Sequence, residues 1–360
     1  MDAQTRITIC PRCSGVFDLD APRIVCERCA FPVTRVGRIP LLLPRPVDHG
    51  IAWRRQLGLL QLTAEQTLEQ IQAQEGASQS GAGRERARAL ARGVRDQMGE
   101  IASLLAPALG GALPPEHGTG LPRGIVEHIH FLYRDWGWPT DGGDENRTAL
   151  DDLTSIVGRD RPLGRTLVLG AGGCRLAYDL HVSLGAAPTF VIDIDPFLFV
   201  IAEAVVRGQS VLLTETTANA QERAHLPRTW TLAAPGRPLD PGEFVFLLAD
   251  GLTPPFAAGS FDTVVTPWFI DQVPQDLPMF LSTVRRLLRP GGHWVNQGPL
   301  LYPADAPLAR RFSREELFDL SERAGLVVER WATASRPHLV SPLHGRGKIE
   351  WVLTLDAKVS

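Results

Sequence analysis

The chain has 360 residues, 44% of them hydrophobic and 21% charged, a globular composition with room for a sizeable core and more than one domain. A formal net charge of -3, from 37 basic and 40 acidic side chains, argues against a dedicated nucleic-acid or acidic-membrane binder but leaves a local basic patch open. No run approaches the ~18 apolar residues needed to span a bilayer, so the expected setting is cytoplasmic and thiol-reducing, with no membrane partner.

Four of the five cysteines fall early, as Cys10-Pro-Arg-Cys13 and Cys26-Glu-Arg-Cys29. Each C-x-x-C sets two sulfurs on one tight turn, and two such knuckles close a tetrahedral thiolate site for zinc. A redox dithiol is the competing reading, but one redox motif needs no second copy. Four thiolates leave the metal no open position, so the zinc expected on Cys10, Cys13, Cys26 and Cys29 is structural. The fifth cysteine, Cys174, reads as a small packed residue, since nothing near it in sequence supplies an activating base.

Residues 47–160 have a helical texture. Thr63 with Gln66 predicts a helix start, Gly76 to Gly83 predicts a loop, and Leu90, Val94, Met98, Ile101 and Leu105 recur on one helical face. Pro107 and the Gly/Pro-rich stretch from Gly110 to Pro122 close that segment, and a further helix is predicted over His128 to Trp136.

From Arg165 the pattern alternates. The strand Thr166 to Leu169 runs into Gly170-Ala171-Gly172-Gly173-Cys174-Arg175 and a helix over Leu176 to Leu184, and the strand Thr189 to Ile192 ends at Asp193. Strands follow at Phe244 to Leu248, Thr263 to Thr266 and His293 to Asn296, with a final pair at Leu326 to Trp331 and Ile349 to Leu355. Strand, Gly-rich turn, helix, strand, acid opens a doubly wound α/β sheet, whose ligand lies across the carboxyl ends of the strands. Gly170 and Gly172 allow close backbone approach, and Asp193 is placed to accept two ribose hydroxyls. A lone G-x-G does not by itself separate NAD from S-adenosylmethionine.

The downstream motifs separate them. Asp250 closes the third strand, Phe256-Ala257-Ala258-Gly259-Ser260-Phe261-Asp262 turns into the fourth, and Leu287-Leu288-Arg289-Pro290-Gly291-Gly292 precedes the fifth. This order resembles the class I S-adenosylmethionine-dependent methyltransferases. Within that class, Tyr133-Arg134-Asp135-Trp136, Trp268-Phe269-Ile270-Asp271, Gly298-Pro299-Leu300-Leu301-Tyr302 and Phe312-Ser313-Arg314-Glu315-Glu316-Leu317 resemble the carnosine N-methyltransferase family. The resemblance implies a Rossmann-like methyltransferase domain over 161–360 behind a zinc ribbon at 1–46 and a helical region at 47–160. It also implies an S-adenosylmethionine site on Arg134, Gly170, Gly172, Arg175, Asp193 and Asp250, an imidazole-holding carboxylate at Asp271, and acceptor contacts from Trp268 and Tyr302. Three places depart from the family: the last glycine of its G-A-G-x-G-R-L motif is Cys174, its histidine after G-P-L-L-Y is Pro303, and its tyrosine-rich last strand is replaced around Lys348-Ile349-Glu350-Trp351.

The expected activity is methylation of an imidazole-like nitrogen on a small-molecule or peptide acceptor, with Asp271 stabilising the charge that develops on the ring. The competing reading of Asp271 is a cap for the next helix. Two other functions stay open. One is RNA-base methylation, since residues 1–60 hold nine arginines against five acids; the other is a non-catalytic cofactor-binding scaffold. Among the histidines, His128 and His130 point to different helix faces and make poor joint metal ligands, His293 falls within a strand, and His338 and His344 fall in a predicted Pro/Gly-rich loop before the last strand, either solvated or where substrate passes. Trp136, Trp138 and Trp268 fit either core or an acceptor pocket. The stretch Gly208 to Gly242 is long enough to cover the acceptor site.

Overall fold

The computed structural model describes residues 7–16, 19, 21, 24–78, 80–112, 128–139, 144–272 and 276–360. Its framework is a nine-stranded sheet: β1 (Thr34–Val36), β2 (Ile39–Leu41), β3 (Gly164–Leu169), β4 (Ala186–Asp193), β7 (Phe244–Leu248), β8 (Phe261–Pro267), β9 (Leu288–Gly298), β10 (Leu326–His338) and β11 (Lys348–Val359). The order across the sheet is β1-β2-β7-β4-β3-β8-β9-β11-β10. The five strands from β7 to β9 are parallel, and β11 runs antiparallel between β9 and β10. That reversal beside the fifth parallel strand is the closing pair expected of a methyltransferase sheet, and the fold is Rossmann-like.

Alternation along each strand explains why both faces are buried. Val168, Val191, Leu248, Val265 and Val295 enter one core, while Leu167, Phe190, Ile192, Leu247, Val264 and Trp294 enter the other. Such strands read as continuous apolar runs because helices cover both sides.

The first core is covered by α1 (Pro46–Ala77), α2 (Gly81–Leu109), α4 (Glu145–Val157), α5 (Arg175–Ser183) and α6 (Pro196–Val206). Between α2 and α4, the short α3 (Ile129–Leu132) continues into a π-helical turn, Tyr133–Gly137. The predicted helix over His128 to Trp136 is therefore present with a widened last turn. The second core is covered by α7 (Leu277–Leu287), α8 (Arg314–Arg323) and the cysteine ribbon. Helix starts are chemically marked: Asp144 and Asp195 cap α4 and α6, and Ser313 with Glu316 forms a capping box on α8.

Three local expectations change. Thr63 does not start a helix; it lies inside α1, where its hydroxyl donates to Leu59 O at 2.9 Å. The Gly76 to Gly83 loop shrinks to the residues between Ala77 and Gly81, with Ser80 accepting from Gly83 N at 3.0 Å. Pro107 does not end α2, which runs on to Leu109 and its Gly110 cap at φ 75°. The stretch beyond residue 112 lies outside the described residues. The region Gly208 to Gly242 is ordered as a hairpin of β5 (Val211–Glu215) and β6 (Arg228–Leu232).

Candidate functional site

At the carboxyl end of β3 the chain turns through Gly170 (φ 66°), Gly172 (φ 54°) and Cys174 (φ 67°) into α5. These left-handed values explain the glycines, and Cys174 accepts the same conformation in the protein interior. A Cβ on Gly172 would point into open space, so this glycine leaves the floor of the cleft bare. A Cβ on Gly170 would run into the ring of Phe269, and one on Gly251 would meet the same ring at 2.6 Å. Phe269 therefore lies against both loops.

Asp193 ends β4 beside this turn. Its Oδ2 accepts from Gly172 N at 2.8 Å, and its Oδ1 accepts from Ile194 N at 2.7 Å and Asp195 N at 2.9 Å. Burial, and then the charge of Asp195, raises its carboxyl above the ordinary range. Three backbone donors leave one of about four lone-pair positions on the carboxylate for a ligand hydroxyl, one fewer than the two expected from the sequence. The next side chain, Ile194, is 51% exposed, an apolar surface at the mouth of the cleft. Asp250 Oδ1 accepts from Leu252 N at 2.8 Å and Oδ2 from Thr253 Oγ1 at 3.3 Å, fixing the loop after β7. A bare glycine floor, an acid with a spare acceptor position and an exposed apolar ledge fit a nucleoside cofactor.

The π-helical turn clamps the Gly-rich loop. Trp136 Nε1 donates to Gly173 O at 2.7 Å, and Arg175 Nη1 donates to Asp135 O at 2.7 Å. Asp135 is 2% exposed and packs so closely on Gly173 that a Cβ there would collide with its carboxylate. Arg134 pairs with Asp135 at 2.7 Å, while Arg175 Nε is engaged by Asp179 at 2.9 Å. Arg175 thus has its Nε and one Nη engaged within the protein, and it braces the loop. Trp136 is core rather than pocket lining. This clamp was missed in the sequence, where Arg134 stood out as a cofactor contact and Trp136 as core or pocket lining, with no sign of Asp135 against Gly173.

The expected acceptor residues gather where β8 and β9 end. Trp268 follows β8 at φ 50°, and its N–H donates to Gln297 O at 2.7 Å. A Cβ on Gly298 would meet Trp268 Cα at 2.9 Å, which accounts for the glycine of G-P-L-L-Y. Asp271 does not cap α7, whose N-cap is Asp276. It is 2% exposed, accepts at Oδ2 from Leu301 N at 3.0 Å, and among the described residues its Oδ1 has no hydrogen-bond partner. Burial pushes its carboxyl up to about 6, against the pull of the Leu301 N–H and the Gln272 side chain, and Glu350 adds to the rise. Burial, with the Asp271 charge nearby, likewise holds the Tyr302 phenol up at about 12, so it stays protonated. A cavity of about 400 Å³ lies alongside, between the end of β9 and the last strand pair, lined by Leu301, Arg314, Thr333, Glu350 and Trp351 and not by Trp268, Asp271 or Tyr302 themselves.

The segment linking β10 to β11 reaches back over this end. His338 is not in a loop but ends β10, buried and stacked on Trp268 at 4.1 Å. Beyond it, Leu339 N and Val340 N donate to Glu145, and Ser341 Oγ donates to Glu215 at 2.8 Å. Glu215, on β5, also accepts from Trp138 Nε1 at 2.9 Å and Trp230 Nε1 at 2.7 Å. One buried carboxylate thus ties the π-helical turn, the β5–β6 hairpin and the β10–β11 connection. His128 and His130 do not converge: His128 Nδ1 lies 3.0 Å from Asp195, and the His130 ring meets Tyr133 edge-on. His293 lies in β9, as expected, with its Nδ1 2.9 Å from Asp356 on β11.

The cysteine sulfurs all lie within 4.8 Å of one another, with Cys10 and Cys29 at 3.6 Å and Cys13 and Cys26 at 3.5 Å. A tetrahedron with ~2.3 Å arms separates its sulfurs by about 3.8 Å, so the donor set fits a bound zinc. Ser14 and Ala30, each just after a knuckle, share left-handed φ values of 61° and 54°. The ribbon is part of the domain's architecture. Ile9 N donates to Pro255 O and Ala257 N to Ile7 O, and Leu41 pairs with Leu248 in parallel.

With the closing strand pair and the Asp271 end in place, the profile of the carnosine N-methyltransferase family matches residues 238–336, which include Asp250, Trp268, Asp271 and Tyr302. The chain resembles the carnosine N-methyltransferase family. The carnosine N-methyltransferase of Schizosaccharomyces pombe is 25% identical over 248 residues, 58% of this chain and 63% of that protein. That of Dictyostelium discoideum is 46% identical over 43 residues, 12% of this chain and 9% of the relative. The chain therefore spans less than two thirds of either relative. A solved S-adenosylmethionine-dependent methyltransferase from Mesorhizobium loti is 16% identical, covering 59% of this chain and 99% of its own with a TM-score of 0.39.

Proposed function

We propose that the protein is an S-adenosylmethionine-dependent methyltransferase acting on an imidazole-like nitrogen of a small-molecule or peptide acceptor. The observation that carries this is Asp271: a buried carboxylate with one free oxygen at the end of the fourth parallel strand, within the segment that matches the carnosine N-methyltransferase family. The cofactor, when bound, supplies an electrophilic methyl group on a sulfonium. Asp193 and the Gly170–Gly172 turn hold its ribose, Ile194 and the Asp250 loop its adenine, and Arg134 its carboxylate. Arg175 contributes indirectly, by bracing Asp135 beneath Arg134.

For an imidazole acceptor, one ring nitrogen attacks while the other N–H faces the free Oδ1 of Asp271. That carboxylate fixes the tautomer and stabilises the positive charge developing on the ring. Tyr302 and Trp268 bound the same end, and positioning the reactants is the main task left to the protein. The zinc proposed on Cys10, Cys13, Cys26 and Cys29 is structural, because it steadies the strip from Pro254 to Ala257 just after the Asp250 loop. The ribbon's engagement with the sheet favours this role over an RNA-docking one. Calorimetry with S-adenosylmethionine and S-adenosylhomocysteine tests the cofactor site. Labelled methyl transfer into dialysable metabolites supports the reading, and label found in RNA alone would replace it.

A further inference from the structure

The family's histidine after G-P-L-L-Y is absent at Pro303, yet a different histidine stands at this end of the sheet. His338 is 7% exposed, and its Nδ1 is buried with no hydrogen-bond partner among the described residues. Leaving a buried imidazole nitrogen unpaired is costly, so a position that keeps one calls for a reason. The ring is held in place rather than loosely packed. It stacks on Trp268 with ring centroids 4.1 Å apart and planes 18° from parallel, and Phe131 closes in at 6.1 Å. Trp268 itself is fixed in a left-handed backbone by the close approach of Gly298. Only two residues separate Trp268 from Asp271, so the stack and the carboxylate belong to one turn.

Resting on the methyltransferase reading above, we propose that His338 is a positioning residue for the methyl acceptor, its Nδ1 accepting a hydrogen bond from an acceptor N–H. The charge around the ring suits an acceptor of hydrogen bonds and not of protons. Burial first, then the positive charges of Arg134 and Lys348, pushes the imidazole down to about 3, so it stays neutral through the physiological range. A ring that resists protonation is a poor general base, which leaves the handling of charge to Asp271. The ligand class this selects is a nitrogen compound with two recognisable polar groups: the ring nitrogen held by Asp271, and an amine or amide N–H that reaches His338. A histidine-containing dipeptide has both, whereas a bare imidazole has one.

Two measurements test this. In protein carrying 15N-labelled histidine and loaded with S-adenosylhomocysteine, the His338 Nδ1 resonance, assigned by its loss in His338→Gln, is followed while carnosine is added. A shift of that resonance is expected, and its absence at millimolar carnosine would overturn the proposal; this arm needs no turnover. In parallel, His338→Phe keeps the stack on Trp268 but removes the nitrogen. It is expected to raise KM for carnosine about tenfold while S-adenosylhomocysteine binds within about twofold of wild type, with part of the loss recovered in His338→Gln. An unchanged KM in His338→Phe would overturn the proposal alone. Failure of the wild-type protein to bind S-adenosylhomocysteine would overturn both it and the methyltransferase reading.

Discussion

Replacing Asp271 with Asn separates what this carboxylate does for chemistry from what it does to stability. Its carboxyl titrates at about 6 in the fold, against an ordinary value of 3.8. A carboxyl raised in this way weakens the folded state only when charged. The penalty is absent below about pH 4, grows through the window up to about 6, and is complete above it. The full shift corresponds to about 3 kcal/mol, at 1.36 kcal/mol for each pH unit. Asn retains an oxygen for the Leu301 N–H but buries an amide where Oδ1 had no partner, which returns about 1–2 kcal/mol of that gain. The net expectation is a variant about 1–2 kcal/mol more stable than wild type at pH 8 and no more stable at pH 4. For 360 residues the unfolding entropy is about 0.76 kcal/mol/K, so Tm rises by about 1–3 °C. Turnover falls about a hundredfold or more, and the acid limb of the kcat/KM profile loses the Asp271 ionisation and keeps only that of the imidazole acceptor, at about 6.5. Scanning fluorimetry at the two pH values and a methyl-transfer assay read both sides. A variant destabilised at pH 8, or one that keeps wild-type turnover, would refute the reasoning.

Gly173→Ala drives a methyl group into the Asp135 carboxylate at a backbone angle that alanine otherwise tolerates, so S-adenosylmethionine affinity falls by tenfold or more with a loss of about 1–3 kcal/mol in stability, read by calorimetry and chemical unfolding. Glu215→Ala strands three buried donors at once, and about 2–4 kcal/mol of stability should be lost, with faster hydrogen exchange around Ser341. Metal analysis of the purified protein is expected to give one zinc per chain, and Cys13→Ser is expected to lower both that content and Tm; full stability without zinc would remove the structural role. Tyr302→Phe is expected to raise acceptor KM without changing S-adenosylmethionine affinity, in a steady-state comparison of the two substrates.

Much of this fold was legible because each strand of a sheet buried on both faces must be apolar along its whole length. Phe244 to Leu248 and Thr189 to Ile192 therefore stood out, as did the glycines that end them. The strand ends were less legible: β10 continues to His338, seven residues past Trp331, because pairing with β11 rather than hydrophobicity sustains it. The Gly-rich loop and Asp193 could be read because close backbone approach and an acid after a strand have local signatures. The partners that fix them could not. Asp135 meets Gly173 across 38 positions of sequence, and Glu215 gathers Trp138, Trp230 and Ser341 from three separate elements; no local pattern reports such contacts. His338 was read as a loop residue for the same reason, since its burial depends on Trp268, which lies at another strand end.

The most direct measurement is transfer of a labelled methyl group from S-adenosylmethionine by the purified protein, offered carnosine and a dialysable metabolite pool alongside total RNA. The account predicts label on an imidazole nitrogen of a small acceptor, lost in Asp271→Asn while cofactor binding persists. Label confined to RNA, or no transfer by a protein that binds the cofactor normally, would contradict it.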